Sequence, residues 1–233
     1  MWIDNLALKY HAESIRLNVW SPQTNMIVLG SSNLLDSEVD VAFCNDNNIE
    51  VFRRSGGGGT VVLFPGCVVV SLGLWVKDFY DNGKYFCAIN KSIIASLSKL
   101  DPALMELSQK GISDIAIEDK KLVGTSMFRS RNYLLFQASI LVEIDFELIN
   151  GCLRHPSAEP DYREGRTHKD FMIGLADLCG LSVPDVALGL KSSLINNLQV
   201  NLKSELISPQ SKQFSNLRKR YQNNHLAINR VDN

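Results

Sequence analysis

The run Arg53-Arg54-Ser55-Gly56-Gly57-Gly58-Gly59-Thr60 sets the reading of everything around it. Ile49-Glu50-Val51-Phe52 precedes it, and Val61-Val62-Leu63-Phe64 and Cys67-Val68-Val69-Val70-Ser71-Leu72 follow it. β-Branched and aromatic residues dominate both flanks, which predicts strand, glycine loop, strand, joined as a hairpin. Glycines in a row pack nothing and are costly to order. Such a run is kept where main chain must come close to another group or where φ must be positive. Bare loop amides can converge into an anion-binding nest, and two arginines add forked donors that suit phosphate or carboxylate. Arg54, Ser55, Gly56, Gly57, Gly58, Gly59 and Thr60 are therefore candidate binding residues for a negatively charged small molecule. On the glycines alone, a flexible hairpin tip with solvated arginines explains the stretch equally well.

Two familiar phosphate loops do not fit. A Walker loop runs Gly-Lys-Ser/Thr into a helix, and no lysine follows here. The dinucleotide fingerprint also opens a helix, whereas Thr60 to Phe64 reads as a strand. The chain of 233 residues is long enough for one large α/β domain or for a domain with a small appendage. Its net charge of -1 gives no bulk attraction for nucleic acid. Five cysteines, Cys44, Cys67, Cys87, Cys152 and Cys179, stand without CxxC spacing. Reduced, mostly buried thiols in a cytoplasmic protein are expected. No stretch reads as a signal peptide, and no apolar run is long enough to span a bilayer, so no membrane partner is expected.

Taken in order, Asn5–Glu13 predicts a short helix, residues 15–20 a strand and Ser21–Asn25 a turn. Met26–Gly30 reads as a buried strand ending at a glycine. The small polar loop Ser31-Ser32-Asn33 after it is suited to lining a pocket. Asp36 or Ser37 would cap a helix from Glu38 to Asn47, with Val39, Ala42 and Phe43 inward. Tyr80–Gly83 reads as a turn. Phe86, Ile89, Ile93, Ile94 and Leu97 fall at helical spacing within Lys84–Leu100. Ile115–Ile117 and Leu122–Gly124 predict a hairpin with a charged tip, and Tyr133–Ile144 a long strand. Asp145 would cap a helix over Phe146–Leu153. The stretch 155–170 is polar and irregular, and a loop of that length is more often functional or mobile than idle. Helices are expected at Phe171–Cys179, from Pro184 to about Val200, and at Ser211–Tyr221, with a frayed tail after Asn223. Strands dominate the first two-thirds, helices the last third, and no regular βαβ run appears. The expected class is α+β, a mixed, largely antiparallel sheet backed by helices. Residues 1–180 would form the main domain and 181–233 a helical C-terminal extension.

No nucleophile-and-base signature and no Cys/His metal set is present, so no metal ligands are assigned. What remains is cationic. Lys121 starts a strand and is held by the sheet, while Lys120 alternates to the opposite face and toward solvent. The glycine loop, Arg54 and Lys121 together suit stabilisation of negative charge that grows in a transition state, as phosphoryl or adenylyl transfer requires. His168, beside Arg166 and Lys169, would be disfavoured as a cation.

Three motifs, in order and spacing, resemble the lipoate–protein ligase family, within the wider group of biotin and lipoate ligases and octanoyl transferases. The glycine run looks like that family's Arg-Arg-x-x-Gly-Gly-Gly-Ala loop. Ser113-Asp114 with Asp119-Lys120-Lys121-Leu122-Val123-Gly124-Thr125-Ser126 looks like its Asn-Asp … Gly-Arg-Lys-Ile-x-Gly-x-Ala segment. Ser139 to Asp145 looks like its strand ending in aspartate. The resemblance, over about Leu17 to Leu175, implies ATP-dependent activation of lipoate or octanoate to acyl-AMP, with Mg²⁺, then transfer to a lysine of a lipoyl carrier domain. Such carriers are 2-oxoacid dehydrogenase E2 chains or the glycine cleavage H protein. Lys121 is then the catalytic lysine. The glycine loop and Arg54 would hold acyl and phosphate groups. Ser31 and Asn33 would line the acyl pocket, Asp114 would bind metal or ribose, and Gly124 and Thr125 fall in the same binding segment.

The chain departs from the family in two places. Val62-Leu63-Phe64 stand where the family has Tyr/Phe-His-Asp, and Gln137-Ala138 stand where it often has His-Gly. The stretch after residue 180 would be a reduced accessory domain, and a separate accessory chain is a further expected partner. Two rivals are an octanoyl or lipoyl transferase working through a cysteine thioester, and a non-catalytic relative that binds an acyl group or carrier. The transferase subgroup places a cysteine just upstream of the lysine hairpin, and Leu104–Ser113 contains none.

Overall fold

The computed structural model describes residues 14–208 apart from 79 and 157, together with the main chain of residues 229 and 230. The helices expected at Asn5–Glu13 and Ser211–Tyr221 lie outside the described residues. In chain order the strands are β1 (Ile15–Trp20), β2 (Met26–Leu29), β3 (Glu50–Arg53), β4 (Val61–Leu63), β5 (Cys67–Trp75), β6 (Ser108–Lys110), β7 (Asp114–Ile117), β8 (Lys120–Ser130), β9 (Tyr133–Leu141) and β10 (Asn229–Arg230). The helices are α1 (Leu35–Glu38), α2 (Val41–Asp46), α3 (Asn82–Leu97), α4 (Phe146–Cys152), α5 (His168–Phe171), α6 (Leu175–Cys179) and α7 (Val183–Leu202). Short 3-10 turns lie at Pro102–Glu106 and Asp161–Arg163.

A six-stranded antiparallel sheet runs β1-β5-β9-β8-β7-β6. A four-stranded sheet runs β10-β3-β2-β4, with β2 parallel to β3 and antiparallel to β4. The expected α+β class, mixed but largely antiparallel and backed by helices, is the class observed. β5 explains why its sequence shows no alternation: every residue is buried. Val68, Val70, Leu72 and Leu74 face α3 and α7, where Ile89, Ile93 and Leu97 meet Leu190, Leu194 and Leu198. Cys67, Val69 and Trp75 face the other way, into smaller clusters. A strand covered on both sides needs apolar residues at every position. Each leucine buried this way contributes about 2 kcal/mol of transfer free energy. α7 starts with a Ser182–Asp185 capping box, and its buried Val186, Leu190, Leu194, Leu198 and Leu202 belong to the same core as β5 and β9.

Several local readings change. β3 and β4 flank the glycine loop but do not pair with each other, because β2 lies between them. The loop is thus a crossover over the end of β2, not a hairpin tip. The helix expected from Glu38 to Asn47 is two short ones broken at Val39–Asp40, since Val39 bridges to Leu153 and Asp40 caps the second. Cys44, not the exposed Ala42, fills the inner face. Asp81 is an N-cap, so the expected turn at residues 80–83 already begins α3. The helix expected at residues 171–179 breaks between Phe171 and Leu175, where Ile173 N–H donates to the Lys121 carbonyl instead. Within the tail expected to fray, Asn229 and Arg230 pair with β3.

Candidate active site

The face of the large sheet turned away from α3 and α7 meets β2 and β4 across a cavity of about 1130 Å³. Its apolar side is built by Val28, Leu63 and Val69, which pack together from three strands. Its polar side carries Arg54, Gly58, Gly59 and Thr60 from the glycine loop, Asn33 from the loop after β2, and Asp114, Lys121, Gly124 and Thr125 from the β7–β8 hairpin. Ser31, Ser55, Gly56 and Gly57 do not line it; Ser32 does. Ser31 N–H instead donates to the Gly56 carbonyl at 3.0 Å, tying the two loops together.

The loop lies directly on the end of β2. A Cβ at Gly30 would collide with the Gly58 carbonyl oxygen and the Asn33 side chain. Gly58 has φ +93, a conformation open to glycine and costly for other residues. Both arginines are engaged by main chain. The Arg54 guanidinium, 5% exposed, donates to the carbonyls of Val28 (3.2 Å), Gly57 (2.8 Å) and Gly59 (2.7 Å). Arg53 Nη1 donates to the carbonyls of Gly30 (3.0 Å) and Asn33 (2.6 Å). The donors read from the sequence as ligand groups therefore also shape the loops that form the wall.

Lys121 lines the same cavity. Its Nζ sits 2.9 Å from Asp114 Oδ1, both side chains being partly exposed. It lies over Gly124, where a Cβ would stand 3.3 Å from Nζ. Its main chain is fixed as well, bridging to Met172 and accepting from Ile173 N–H. Lys120 is exposed. Thr125 Oγ1 donates to the Ser113 carbonyl at 2.7 Å, holding the start of β7 against β8.

The third wall is the stretch 155–170, flagged in the sequence for its length but given no roles. Tyr162 Oη donates to Asp114 Oδ2 at 2.9 Å, so Asp114 joins this stretch to Lys121. Burial and the Asp114 carboxylate push the Tyr162 phenol pKa up, keeping it a donor. Arg163 and Arg166 stack over the Phe171 ring at 4.9 and 5.4 Å. Arg166 Nη2 donates to the carbonyls of Tyr162 and Asp119, at 2.6 and 2.9 Å. Glu159 pairs with Arg163 and His155 and accepts from Gly165 N–H. His168 lines the cavity, and its pKa is lowered to about 4 by burial and then by Arg163, His155 and Lys121. The cation is disfavoured, as expected from the sequence, but by burial and by Arg163, His155 and Lys121 rather than by the sequence neighbours Arg166 and Lys169. The only signal for these residues was an irregular run rich in histidine and arginine.

Residues 3–194 match the family described as the lipoyl protein ligase A/B catalytic domain. The chain belongs to this family. It is 22% identical over 196 residues to lipoate-protein ligase A subunit 1 of Thermoplasma acidophilum, covering 81% of this chain and 74% of that one. It is 37% identical over 194 residues to the octanoyltransferase LipM of Kyrpidia tusciae, covering 73% and 69%. It also matches the inactive lipoate–protein ligase 2 of Plasmodium falciparum, 26% identical over 178 residues, 63% of this chain and 46% of that one. Solved structures share the fold. A bipartite lipoate protein ligase of T. acidophilum, studied with its E2 lipoyl domain, superposes at TM-score 0.70 and 19% identity over 94% of this chain and 85% of that one. A T. acidophilum protein with bound lipoic acid gives 0.68 at 18% identity over 95% and 88%. A lipoate-protein ligase A bound with ATP gives 0.68 at 19% over 94% and 87%. Within the lipoyl ligase fold, Leu63 and Gln137 both line the cavity, so the two departures from the family's histidine motifs fall on the site itself. Among the described residues no helix is long and apolar enough to cross a membrane.

Proposed function

We propose that this chain is an ATP-dependent lipoate–protein ligase. It joins lipoate or octanoate to AMP and passes the acyl group to a lysine of a lipoyl carrier domain, of the E2 or H-protein kind. The observation that carries the reading is the meeting of Lys121 and the glycine loop across one cavity with an apolar side. An eight-carbon acyl chain suits the wall of Val28, Leu63 and Val69, with its carboxylate toward Lys121. The carboxylate oxygen attacks the α-phosphate of ATP, a P–O bond to pyrophosphate breaks, and acyl-AMP remains. Lys121 counters the charge that builds on the phosphate oxygens. Ionic pairing with Asp114 holds its ammonium in place until the anions arrive. Loop residues 58–60, held by Arg54, and Asn33, Gly124 and Thr125 complete the enclosure. The unit from the first described strand through α7 carries this chemistry, and a separate accessory chain would join it in the manner of the bipartite relative. Free, mostly buried cysteines suit a cytoplasmic setting.

Mg²⁺ would come with the nucleotide. Among the described residues no group of three His, Cys, Asp or Glu forms a protein cage. Asp114 fits the role of a single protein carboxylate on an ion otherwise held by phosphates. Such an ion supplies charge neutralisation at the phosphates.

The relative at 37% identity favours weighing a second reading, an octanoyl transferase. None of the five cysteines lines the cavity, which opposes a thioester route. Lipoate, a carrier domain and Mg²⁺ are incubated with and without ATP, and the carrier is weighed by mass spectrometry. Modification and pyrophosphate release only with ATP are expected. Modification of the carrier when an octanoyl thioester replaces lipoate and ATP would establish the transferase, and binding of lipoate with neither activity would establish a non-catalytic binder.

A further inference from the structure

The ligase reading leaves one chemical need unmet, and the inference rests on that reading. When a carrier-lysine nitrogen attacks acyl-AMP, it must lose a proton as its bond to the acyl carbon forms. All but one of the cavity's other bases are engaged, the exception being Asp161. Asp114 has Lys121 on one oxygen and Tyr162 on the other. Glu159 holds Arg163, His155 and Gly165 N–H. Glu38 is buried and engaged. Asp161 is exposed at the rim, and the Tyr162 phenol is itself a donor. Leu63 and Gln137 occupy the positions where the family carries histidines.

His168 is the one imidazole lining the cavity among the described residues. It enters from α5, an element with no counterpart among those histidine motifs. Its Nδ1 lies 3.3 Å from Asn150 Oδ1 on α4. With Asn150 Oδ1 as its acceptor, Nδ1 carries the hydrogen and the lone pair is left on Nε2. No described residue hydrogen-bonds that nitrogen. We propose that His168 is the catalytic base of the transfer half-reaction, accepting at Nε2 the proton of the attacking carrier-lysine nitrogen.

Before attack, the lysine ammonium loses one proton to solvent. Its nitrogen then bonds to the acyl carbon, the second proton goes to His168 Nε2, and the acyl C–O bond breaks with its electron pair leaving on AMP. The imidazolium returns its proton to water. The charges facing His168 are Arg163, His155 and Lys121, which with burial keep the unliganded imidazole neutral. An acyl-adenylate seated by Lys121 offsets those cations, so the base gains strength when its substrate is in place.

The test separates the two half-reactions in the full chain and in His168→Gln. Pyrophosphate release with ATP, Mg²⁺ and octanoate reports adenylate formation. The preformed adenylate complex is then challenged at neutral pH with an E2-type lipoyl domain or with hydroxylamine, which is far less basic and reacts without help. His168→Gln is expected to form adenylate within about threefold of wild type and to acylate hydroxylamine equally well. Its transfer to the lipoyl domain is expected to fall by about 10²–10⁴, the usual contribution of general-base catalysis. Added imidazole is expected to restore part of that loss in His168→Ala. Unchanged transfer to the lipoyl domain, or one common loss in all three reactions, overturns the assignment. A wild-type chain that releases no pyrophosphate removes the ligase reading and this one with it. A competent wild type with an unimpaired variant removes only the role of His168.

Discussion

The glycine loop and the stretch 155–170 line the same cavity, yet they are held by different forces. The glycine loop is fixed through its main chain: carbonyls of Gly57 and Gly59 sit on a buried guanidinium, and amide–carbonyl bonds stitch it to the end of β2. The stretch 155–170 is fixed through side chains: Tyr162 on Asp114, Arg166 on Asp119, and both arginines around Phe171. A wall of the first kind is removed whole or not at all. A wall of the second kind can be dismantled one group at a time. Lys121 lines the cavity with both, touching Asp114, which the second wall holds.

The largest expected effect is at that meeting point. Lys121→Ala is expected to lower pyrophosphate release by about 10²–10³, the loss seen when a donor to developing charge is removed. Its melting temperature should stay near that of wild type, since a partly exposed ion pair contributes little to stability. Wild-type turnover by this variant would show that the two walls do not converge on chemistry.

Arg54→Ala tests the first wall. It strips one buried carbonyl, Val28, and two partly buried ones, Gly57 and Gly59, of a donor, and a buried group left unsatisfied costs about 1–3 kcal/mol. A loss of about 3–4 kcal/mol in chemical denaturation is expected, with binding of lipoate lost as the loop relaxes. A loss below about 1 kcal/mol would mean the loop holds itself without the guanidinium.

That contrast also explains what the sequence made legible. Glycines, arginines and the Lys121 strand announced themselves because backbone-built sites need special residues at fixed spacing. The pairing of β3 and β4 was misread because nothing in residues 49–64 says that β2, about twenty residues earlier, will slot between them. The helices at residues 38–47 and 171–179 were drawn too long because tertiary bonds, Val39 to Leu153 and Ile173 to Lys121, outcompete local periodicity. Tyr162 and His168 could not be assigned at all. Their roles depend on Asp114 and Asn150, far away in the chain, and a polar loop carries no periodicity from which such partners could be read.

His168 gives the second wall a pH signature. Its pKa is lowered to about 4 from an ordinary 6.5, so the unfolded chain takes up a proton that the folded chain refuses. Stability from this group is therefore complete above about pH 6.5 and lost as pH falls toward 4. At about 1.36 kcal/mol for each pH unit between the two pKa values, the loss is at most about 3 kcal/mol. Solvent screening of a half-buried ring brings the expected loss down to about 1–2 kcal/mol. Denaturation at about pH 7 and about pH 4.5 should show a smaller acid loss in His168→Gln than in wild type. Equal losses would place His168 in contact with water in the unliganded chain.

The smallest effect isolates a single tie between the walls. Tyr162→Phe keeps the ring on Phe171, 5.1 Å between centroids, and deletes only the hydroxyl that reaches Asp114. A hydrogen bond to a charged acceptor is worth about 1.5 kcal/mol, about tenfold in the equilibrium between a docked and an undocked stretch. Amide exchange around residues 159–166 should quicken by about that factor, while exchange in the glycine loop stays as it was. Pyrophosphate release should fall far less than in Lys121→Ala, because Asp114 retains its ionic contact with the lysine. If exchange quickened in both segments together, the two walls would share one support, and Asp114 would be holding the glycine loop as well as the lysine.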